Sequence, residues 1–136
     1  ASNYAGVAFG NAGVGAVHAL SYPLGGMYHV PHGEANYQFF TEVFKLYTKK
    51  EPNGSIRKIN IRIAEILGVE VDQVYQGLEE LLGKLLKKNP LQSYGMKIEE
   101  KELFTDSVIS GQGRLLANNY VTLSRADILG IYTNLY

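Results

Sequence analysis

Residues 15–36 of the chain read GAVHALSYPLGGMYHVPHGEAN, and they contain all three of its histidines: His18, His29 and His32. Glu34 is the first charged residue, because residues 1–33 contain no Asp, Glu, Lys or Arg. Glycines and polar side chains interrupt this uncharged segment often enough to argue against a membrane span. We therefore expect it to be buried on all sides by protein, with more neighbours than so short a chain supplies.

Composition limits the classes of protein to consider. The chain has 136 residues, of which 46% are hydrophobic and 19% charged, so it should form one globular domain with a buried core. Thirteen basic and thirteen acidic residues cancel, which gives no electrostatic reason to expect nucleic acid. The absence of cysteine excludes disulfides, iron–sulfur clusters and a cysteine nucleophile. No signal-peptide pattern is visible, and a cytoplasmic location is expected.

The first helix is predicted over residues 3–20 and is rich in small side chains. Gly6 and Gly10 lie four positions apart, so one face allows another backbone to approach closely. We expect this face to pack inside the helical domain rather than between subunits. Pro23 and the pair Gly25–Gly26 are predicted to end or kink the helix, because proline lacks the N–H group that the helix needs.

Three further helices are predicted from apolar residues at helical spacing. The second covers residues 34–49, and the third covers residues 56–67 with Ser55 as its N-cap and Gly68 as its stop. The fourth covers residues 71–88. The expected buried positions are Phe40, Val43, Phe44 and Tyr47 in the second helix, Ile59, Ile63, Ile66 and Leu67 in the third, and Val71, Val74, Leu78, Leu81, Leu82 and Leu85 in the fourth.

The C-terminal part is predicted to contain a fifth helix over residues 98–109 and a last helix that follows Ser124. Asp127 stands three positions after Ser124, which is the spacing of a capping box. Residues 111–120 read as irregular, and no alternating strand pattern occurs anywhere. The predicted fold class is all-α, with about six helices in one domain over residues 1–136.

The histidines admit two interpretations, satisfied core residues or metal ligands. His18 and His32 are 14 positions apart, which is about 21 Å along an unbroken helix. They can share a metal only if the chain doubles back between them, and the Pro23 to Gly26 region is the predicted place for that reversal. His29 and His32 are not expected to share one helical face, because Pro31 separates them.

The stretches Gly15–Gly26 and Pro31–Asn36 resemble the histidine signature of iron-dependent (group III) alcohol dehydrogenases. Residues 115–119 and 124–129 are similar to the C-terminal end of that family. The whole chain thus resembles the helical C-terminal domain of such an enzyme. Among the branches it looks closest to the one that interconverts 4-hydroxybutyrate and succinate semialdehyde with NAD.

The resemblance implies an active site shared with residues outside this chain. In the family one Asp and three His hold a divalent metal, Fe²⁺ or Zn²⁺, which polarises the alcohol or aldehyde oxygen. His18 and His32 match two of these ligands. The other two, and the α/β domain that binds NAD(P), have no counterpart here, and no glycine-rich phosphate loop follows a strand. The chain therefore looks like a fragment, inactive alone, of a homo-oligomeric enzyme more than twice its length.

Three other residues match positions near the family's active site. Tyr22 replaces a histidine that many members carry beside the nicotinamide. Phenols accept protons poorly at neutral pH, so a proton relay at this position is in doubt. Simple packing beside the pocket is the alternative role for Tyr22. Phe9 matches an aromatic wall of the substrate pocket, with core packing as its alternative. His29 is a candidate for the pocket rim or for an exposed loop.

Two questions stay open at this level. A carboxylate-bearing substrate needs a cation to bind it, and the sequence does not show which of the 13 Lys and Arg residues serves this purpose. Arg57, Lys58 and Arg62 are expected on a solvent-exposed helix face. The alternatives to the proposed chemistry are a non-catalytic helical binding or structural domain with incidental histidines, a family member that works without metal, and a lactaldehyde or diol reductase.

Overall fold

A computed structural model describes all 136 residues, which form eight α-helices and two short 3₁₀ turns without any β-strand. This confirms the all-α prediction, although the number of helices is larger than the six expected. The α-helices are α1 (Ser2–Ala12), α2 (Ala16–Tyr28), α3 (His32–Lys50), α4 (Ser55–Leu67), α5 (Val74–Gly83), α6 (Glu100–Gly111), α7 (Gly113–Ala117) and α8 (Arg125–Leu135), and the 3₁₀ turns are Val71–Gln73 and Leu91–Tyr94.

The predicted first helix is divided in two, because the chain leaves helical geometry at residues 13–15. Gly13 has a φ of 72°, which glycine adopts without steric cost. The Asn118 side-chain amide donates to the Ala12 carbonyl at 2.8 Å, and the Asn119 side-chain Oδ1 atom accepts from the Ala16 N–H at 2.9 Å. These partners, more than 100 positions away, replace the backbone bonds that a continuous helix would make.

Of the two predicted effects of Pro23 and Gly25–Gly26, ending or kinking the helix, the first is wrong, because α2 continues through them to Tyr28. Proline removes one backbone hydrogen bond, but the helix buries a continuous apolar face that outweighs this loss. The reversal comes later, over residues 29–31, where His29 adopts a left-handed φ of 55°. The fully buried residues of the α2 face are Ala16, Ala19, Leu20 and Leu24.

Helix α1 has no buried residue, so the expectation that residues 1–33 are enclosed on all sides is wrong for its first part. Gly6 and Gly10 have open space where a Cβ atom would stand, and the predicted close packing of this face inside the domain is therefore absent. Tyr4 and Val7 are 80% and 58% exposed. No other element of the chain covers α1.

The main core lies between α2, α3, α6 and α8. Three buried aromatic rings meet at its centre: Tyr132 of α8 makes edge-to-face contacts with Phe39 of α3 and with Phe104 of α6 at centroid distances of 5.4 and 5.7 Å. The Tyr132 hydroxyl donates to the Leu20 carbonyl at 2.7 Å, which ties α8 to the helix that carries His18. This core sets the relative position of α2 and α3.

Helix α4 has the predicted bounds, within one residue at its N-terminus, and ends at Gly68 in the left-handed conformation. Ser55 does not cap it, because Gly54 occupies the N-cap position. The predicted buried face is rotated: Ile56, Asn60 and Ala64 are buried, whereas Ile59 and Ile66 are 46% and 69% exposed. Asn60 sets this rotation, because its side chain is hydrogen-bonded to Tyr75 of α5 and Thr48 of α3.

The predicted fourth helix is shortened at both ends, since its first turn is 3₁₀ and α5 ends at Gly83. Tertiary hydrogen bonds hold the residues that follow: Tyr37 donates to the Leu86 carbonyl, and Lys88 donates to Thr41. Leu85, predicted in the buried seam, is 79% exposed. Leu86 and Lys88 therefore lie outside the helix, where they contact α3.

The C-terminal predictions are largely confirmed. Helix α6 lies two residues later than predicted, and α8 begins with the predicted capping box of Ser124 and Asp127. The region read as irregular contains the short helix α7. None of the helices combines the length and the apolar character that crossing a bilayer would require.

Candidate functional site

The chain reversal between α2 and α3 brings His18 and His32 together. His18 lies in the first turn of α2 and His32 is the first residue of α3. The segment between the helices runs back along α2, since the Val30 carbonyl oxygen lies 3.5 Å from the place where a Cβ atom of Gly25 would stand. The two imidazole centroids are 5.2 Å apart with an angle of 51° between the ring planes. Both rings therefore border the same small volume.

The electrostatic environment favours the neutral form of His18. Partial burial lowers its pKa from the usual value, and the nearby His32 adds to this effect, because two positive charges would repel each other. A neutral imidazole keeps a nitrogen lone pair, which is what a metal ion requires. Neither ring nitrogen of His18 is hydrogen-bonded within the chain, and neither is buried.

A hydrogen-bonded chain of side chains holds His32 relative to α2. The Asn36 amide nitrogen lies 3.0 Å from the His32 Nε2 atom. The Ser21 hydroxyl lies 2.6 Å from the Asn36 Oδ1 atom and 3.0 Å from the His18 carbonyl oxygen. This arrangement occupies one ring nitrogen of His32 and leaves Nδ1 without a protein partner.

Two aromatic side chains flank the histidines. The Tyr22 ring is 6.2 Å from the His32 ring with an angle of 25°, and the Phe9 ring is 6.2 Å from the His18 ring with an angle of 40°. Both aromatic residues are partly open to solvent, at 40% and 56% exposure. The structure thus places the predicted pocket residues Phe9 and Tyr22 beside the histidine pair, and Phe9 lies outside the core.

His29, the third histidine, lies apart from this group. It is exposed, makes no ring contact with the other two histidines, and closes α2 in a left-handed conformation. The expected exposed face of α4 is present, because Arg57, Lys58 and Arg62 are all exposed.

The pair of histidines fits part of a metal site. Neutral imidazole nitrogens suit Fe²⁺ and Zn²⁺, and the two rings converge on one volume. No group of three or more His, Cys, Asp or Glu side chains is close enough to complete a site within the chain. The residues present therefore fit two ligands of a centre that needs further donors.

The sequence predicts no structural role for Asn118 and Asn119, which lie in the segment expected to be irregular and in a stretch similar to the family's C-terminal end. Together they anchor the segment before α2, and Asn119 also accepts a hydrogen bond from the buried Tyr47 hydroxyl. Burial raises the pKa of Tyr47 to about 12, although the Asn119 contact acts in the opposite direction. Paired asparagines, which often cap helices through their side chains, were the available signal.

Comparison with known proteins gives a consistent result. The family model for the C-terminal part of the Fe-containing alcohol dehydrogenase family matches residues 1–136. The 4-hydroxybutyrate dehydrogenase of Clostridium kluyveri is 63% identical over 135 residues, which cover 99% of this chain and 36% of that protein. Long-chain-alcohol dehydrogenase 1 of Geobacillus thermodenitrificans is 35% identical over 144 residues, covering 96% and 34% of the two chains.

A solved structure shows the same arrangement of helices. The archaeal halo-thermophilic alcohol dehydrogenase ADH/D1 from a Red Sea brine pool matches with a TM-score of 0.77 and 22% identity, over 91% of this chain and 33% of that chain. At this identity the match establishes the fold alone. The chain spans about a third of the length of the curated relatives it matches.

Proposed function

Because the chain belongs to the Fe-containing alcohol dehydrogenase family, we propose that it forms the helical part of a metal- and NAD(P)-dependent dehydrogenase in which His18 and His32 are metal ligands. The observation that carries this proposal is the pairing of the two imidazole rings at 5.2 Å across the α2–α3 reversal. Residues separated by 14 positions meet here at the ends of two different helices.

In this proposal each residue near the pair has a definite task. His18 and His32 hold the metal, and the Asn36–Ser21 link fixes the orientation of His32. Phe9 and Tyr22 form the two sides of the site, and Tyr22 stands on the side assigned to the nicotinamide. When bound, a divalent metal such as Fe²⁺ acts as a Lewis acid on the alcohol or aldehyde oxygen, and NAD(P) carries the hydride.

We propose 4-hydroxybutyrate and succinate semialdehyde as the substrate pair, with NAD as the hydride carrier. The 63% identity to the Clostridium kluyveri enzyme of that name supports this choice over a longer or uncharged alcohol. The reaction converts 4-hydroxybutyrate and NAD⁺ into succinate semialdehyde, NADH and a proton.

Two imidazoles do not complete a metal site, so the proposal requires the remaining ligands from a longer protein. The relatives, which are almost three times as long as the part that matches, have room for them and for a nucleotide-binding domain. The 136-residue chain alone should therefore be inactive. Equal rates of aldehyde reduction by this chain and by the full-length protein would contradict this division of the site.

The metal content of the full-length protein tests the assignment. We expect about one divalent metal ion per subunit in the wild type and a large loss in His18→Ala and in His32→Ala. His29→Ala is the matched control, because it removes the third histidine without touching the pair, and it should keep its metal. Unchanged metal in the first two variants would refute the ligand assignment. An active, metal-free wild type would favour a family member that works without metal.

A further inference from the structure

A large open cavity lies next to Phe9, the aromatic neighbour of His18, although neither His18 nor His32 lines it. The end of α1, the segment that follows it and α7 enclose about 660 Å³, which is within the usual size range of small-molecule sites. Phe9 lines this cavity and also contacts the His18 ring, so one aromatic side chain separates the cavity from the candidate ligand. The other lining residues used below are Arg114 and Asn118.

Arg114 is the only charged residue among the ten that line this cavity, and it forms no ion pair within the chain. Two of the three other arginines are neutralised: Arg125 pairs with Asp106 and Glu102, and Arg62 pairs with Glu65. Arg114 is exposed, so its guanidinium is a solvated positive charge without a protein partner at the wall of an open cavity.

A second cavity of about 380 Å³ serves as a comparison. It contains Lys45 and Lys49, but Glu42 and Asp127 line it as well. Lys45 is bound to Glu42 at 2.8 Å, and Asp127 is bound to Lys50 at 2.7 Å. Lys49 has no ion pair, but two carboxylates line the same cavity and make its formal charge neutral. The Arg114 cavity, which has no carboxylate in its lining, is therefore the better site for an anion.

Five of the ten residues that line the Arg114 cavity are hydrophobic. Two backbone carbonyls nearby are already engaged, because Asn118 donates to those of Ala12 and Val14 at 2.8 and 3.2 Å. Such a wall suits a ligand with a short apolar chain and one negatively charged end. It offers no second charge for a dicarboxylate or a phosphate ester.

We propose that Arg114 binds the carboxylate of an ω-hydroxy or ω-oxo acid whose reacting end lies beside His18 and His32. This inference rests on the proposed dehydrogenase function and deepens it, because it names the residue that selects acids over neutral alcohols. Phe9 then packs against the methylene groups between the two ends.

The physical basis is the geometry of the guanidinium group. Its N–H donors form a planar fork that accepts both oxygens of a carboxylate, and it stays charged at neutral pH. Loss of a charge-assisted pair of this kind lowers binding by about 10- to 100-fold. Because the same contact is absent for an aldehyde without a carboxylate, the loss should be confined to acid substrates.

The test compares two aldehydes of equal chain length, succinate semialdehyde and butanal, in the full-length protein. In Arg114→Met we expect kcat/KM for succinate semialdehyde to fall by about 10- to 100-fold, while kcat/KM for butanal stays within about twofold. Arg114→Lys keeps the positive charge but not the planar pair of N–H donors, so its kcat/KM for succinate semialdehyde should fall less. Arg57→Met is the matched control, because Arg57 is exposed, unpaired and on α4, away from the cavity; it should change neither rate.

The outcomes separate this inference from the proposed function. If the wild type oxidises or reduces neither substrate with NAD(P), the dehydrogenase proposal itself fails. If the wild type is active and Arg114→Met changes both aldehydes equally or neither of them, the carboxylate assignment is overturned. Equal loss of both activities in Arg114→Met and in Arg114→Lys also overturns it, because Arg114 would then be needed for the fold and not for the acid.

Discussion

The side-chain amide of Asn36 contacts the Nε2 atom of His32 at 3.0 Å, one helical turn further along α3. Through its other end Asn36 reaches Ser21, which in turn contacts the carbonyl oxygen of His18. The two histidine-bearing helices are thus joined by polar side chains at the place where their rings meet. The amide nitrogen donates to Nε2 here, whereas a metal held by Nδ1 requires a proton on Nε2. Asn36 would then keep the contact by presenting its amide oxygen to that N–H group, which orients the ring for the metal.

Replacement of Asn36 by Leu should weaken metal binding in the full-length protein by about 10- to 100-fold, which is typical for the loss of a residue that orients a ligand. Competition with a chelator measures this affinity, and far-UV circular dichroism checks the fold. Ser21→Ala is the milder companion, because it preserves the Asn36–His32 contact. Wild-type affinity in Asn36→Leu would show that His32 needs no such support.

Replacement of Asn119 by Ala should lower the free energy of unfolding by about 2 kcal/mol. The change removes the side-chain cap at the start of α2 and leaves the buried Tyr47 hydroxyl without its acceptor. Urea titration of the chain measures the loss. Asn53→Ala, in the exposed turn before α4, should change stability by less than about 0.5 kcal/mol. A loss in Asn119→Ala no larger than in Asn53→Ala would contradict the anchoring role.

Tyr132 offers a test of the core that separates its hydroxyl from its ring. Tyr132→Phe should lower the free energy of unfolding by about 1 kcal/mol, because only the hydrogen bond to the Leu20 carbonyl is lost. Tyr132→Ala should lower the free energy of unfolding by about 3–5 kcal/mol, since this change also leaves a cavity between Phe39 and Phe104. Equal stability of the Phe and Ala variants in urea would mean that the three rings are not the centre of the core.

The stability contributed by Asp127 should depend on pH. Burial alone would raise its pKa, but hydrogen bonds from Lys50 and Ser124 lower the pKa of this carboxyl below its usual value. The folded chain then binds a proton less readily than the unfolded chain, so the contribution is complete above the unfolded pKa of about 3.9 and disappears as the pH falls through the lower folded value.

Comparison of the wild type with Asp127→Asn in urea, at pH 7 and near pH 2.5, measures this contribution. We expect the variant to be less stable at pH 7 and the difference to shrink at the acidic pH. Asp72→Asn, at an exposed aspartate without an ion pair, is the control. A difference that stays constant over this range would exclude a role for the Asp127 charge.

The features predicted correctly from the sequence depend on residues close together along the chain. The stop of α4 at Gly68 and the capping box of Ser124 and Asp127 are examples, because each involves only a few neighbouring residues. The buried face of α4 was misassigned although its bounds were right. Its isoleucines offer more than one apolar face, and Asn60 selects one through partners on other helices.

The sequence likewise predicted one part of the candidate site, and only the tertiary structure showed the rest. The spacing of His18 and His32 required a chain reversal for the two to meet, and the rings do meet, but the reversal lies at residues 29–31 and not at Pro23. Arg114 could not be distinguished from twelve other basic residues, because its lack of an ion pair and its place in a cavity are properties of the assembled helices.

By itself, then, the amino-acid order determined the all-helical class, the helix signals that act over one or two turns, and the presence of two histidines able to meet across a bend. Only the tertiary structure decided that the first helix breaks at residues 13–15, that α2 passes through Pro23, and that α1 stays uncovered. The reason is physical: the hydrogen bonds of Asn118 and Asn119 to the segment around residues 12–16 join positions more than 100 apart, and together with the burial of α2 they outweigh local backbone preference.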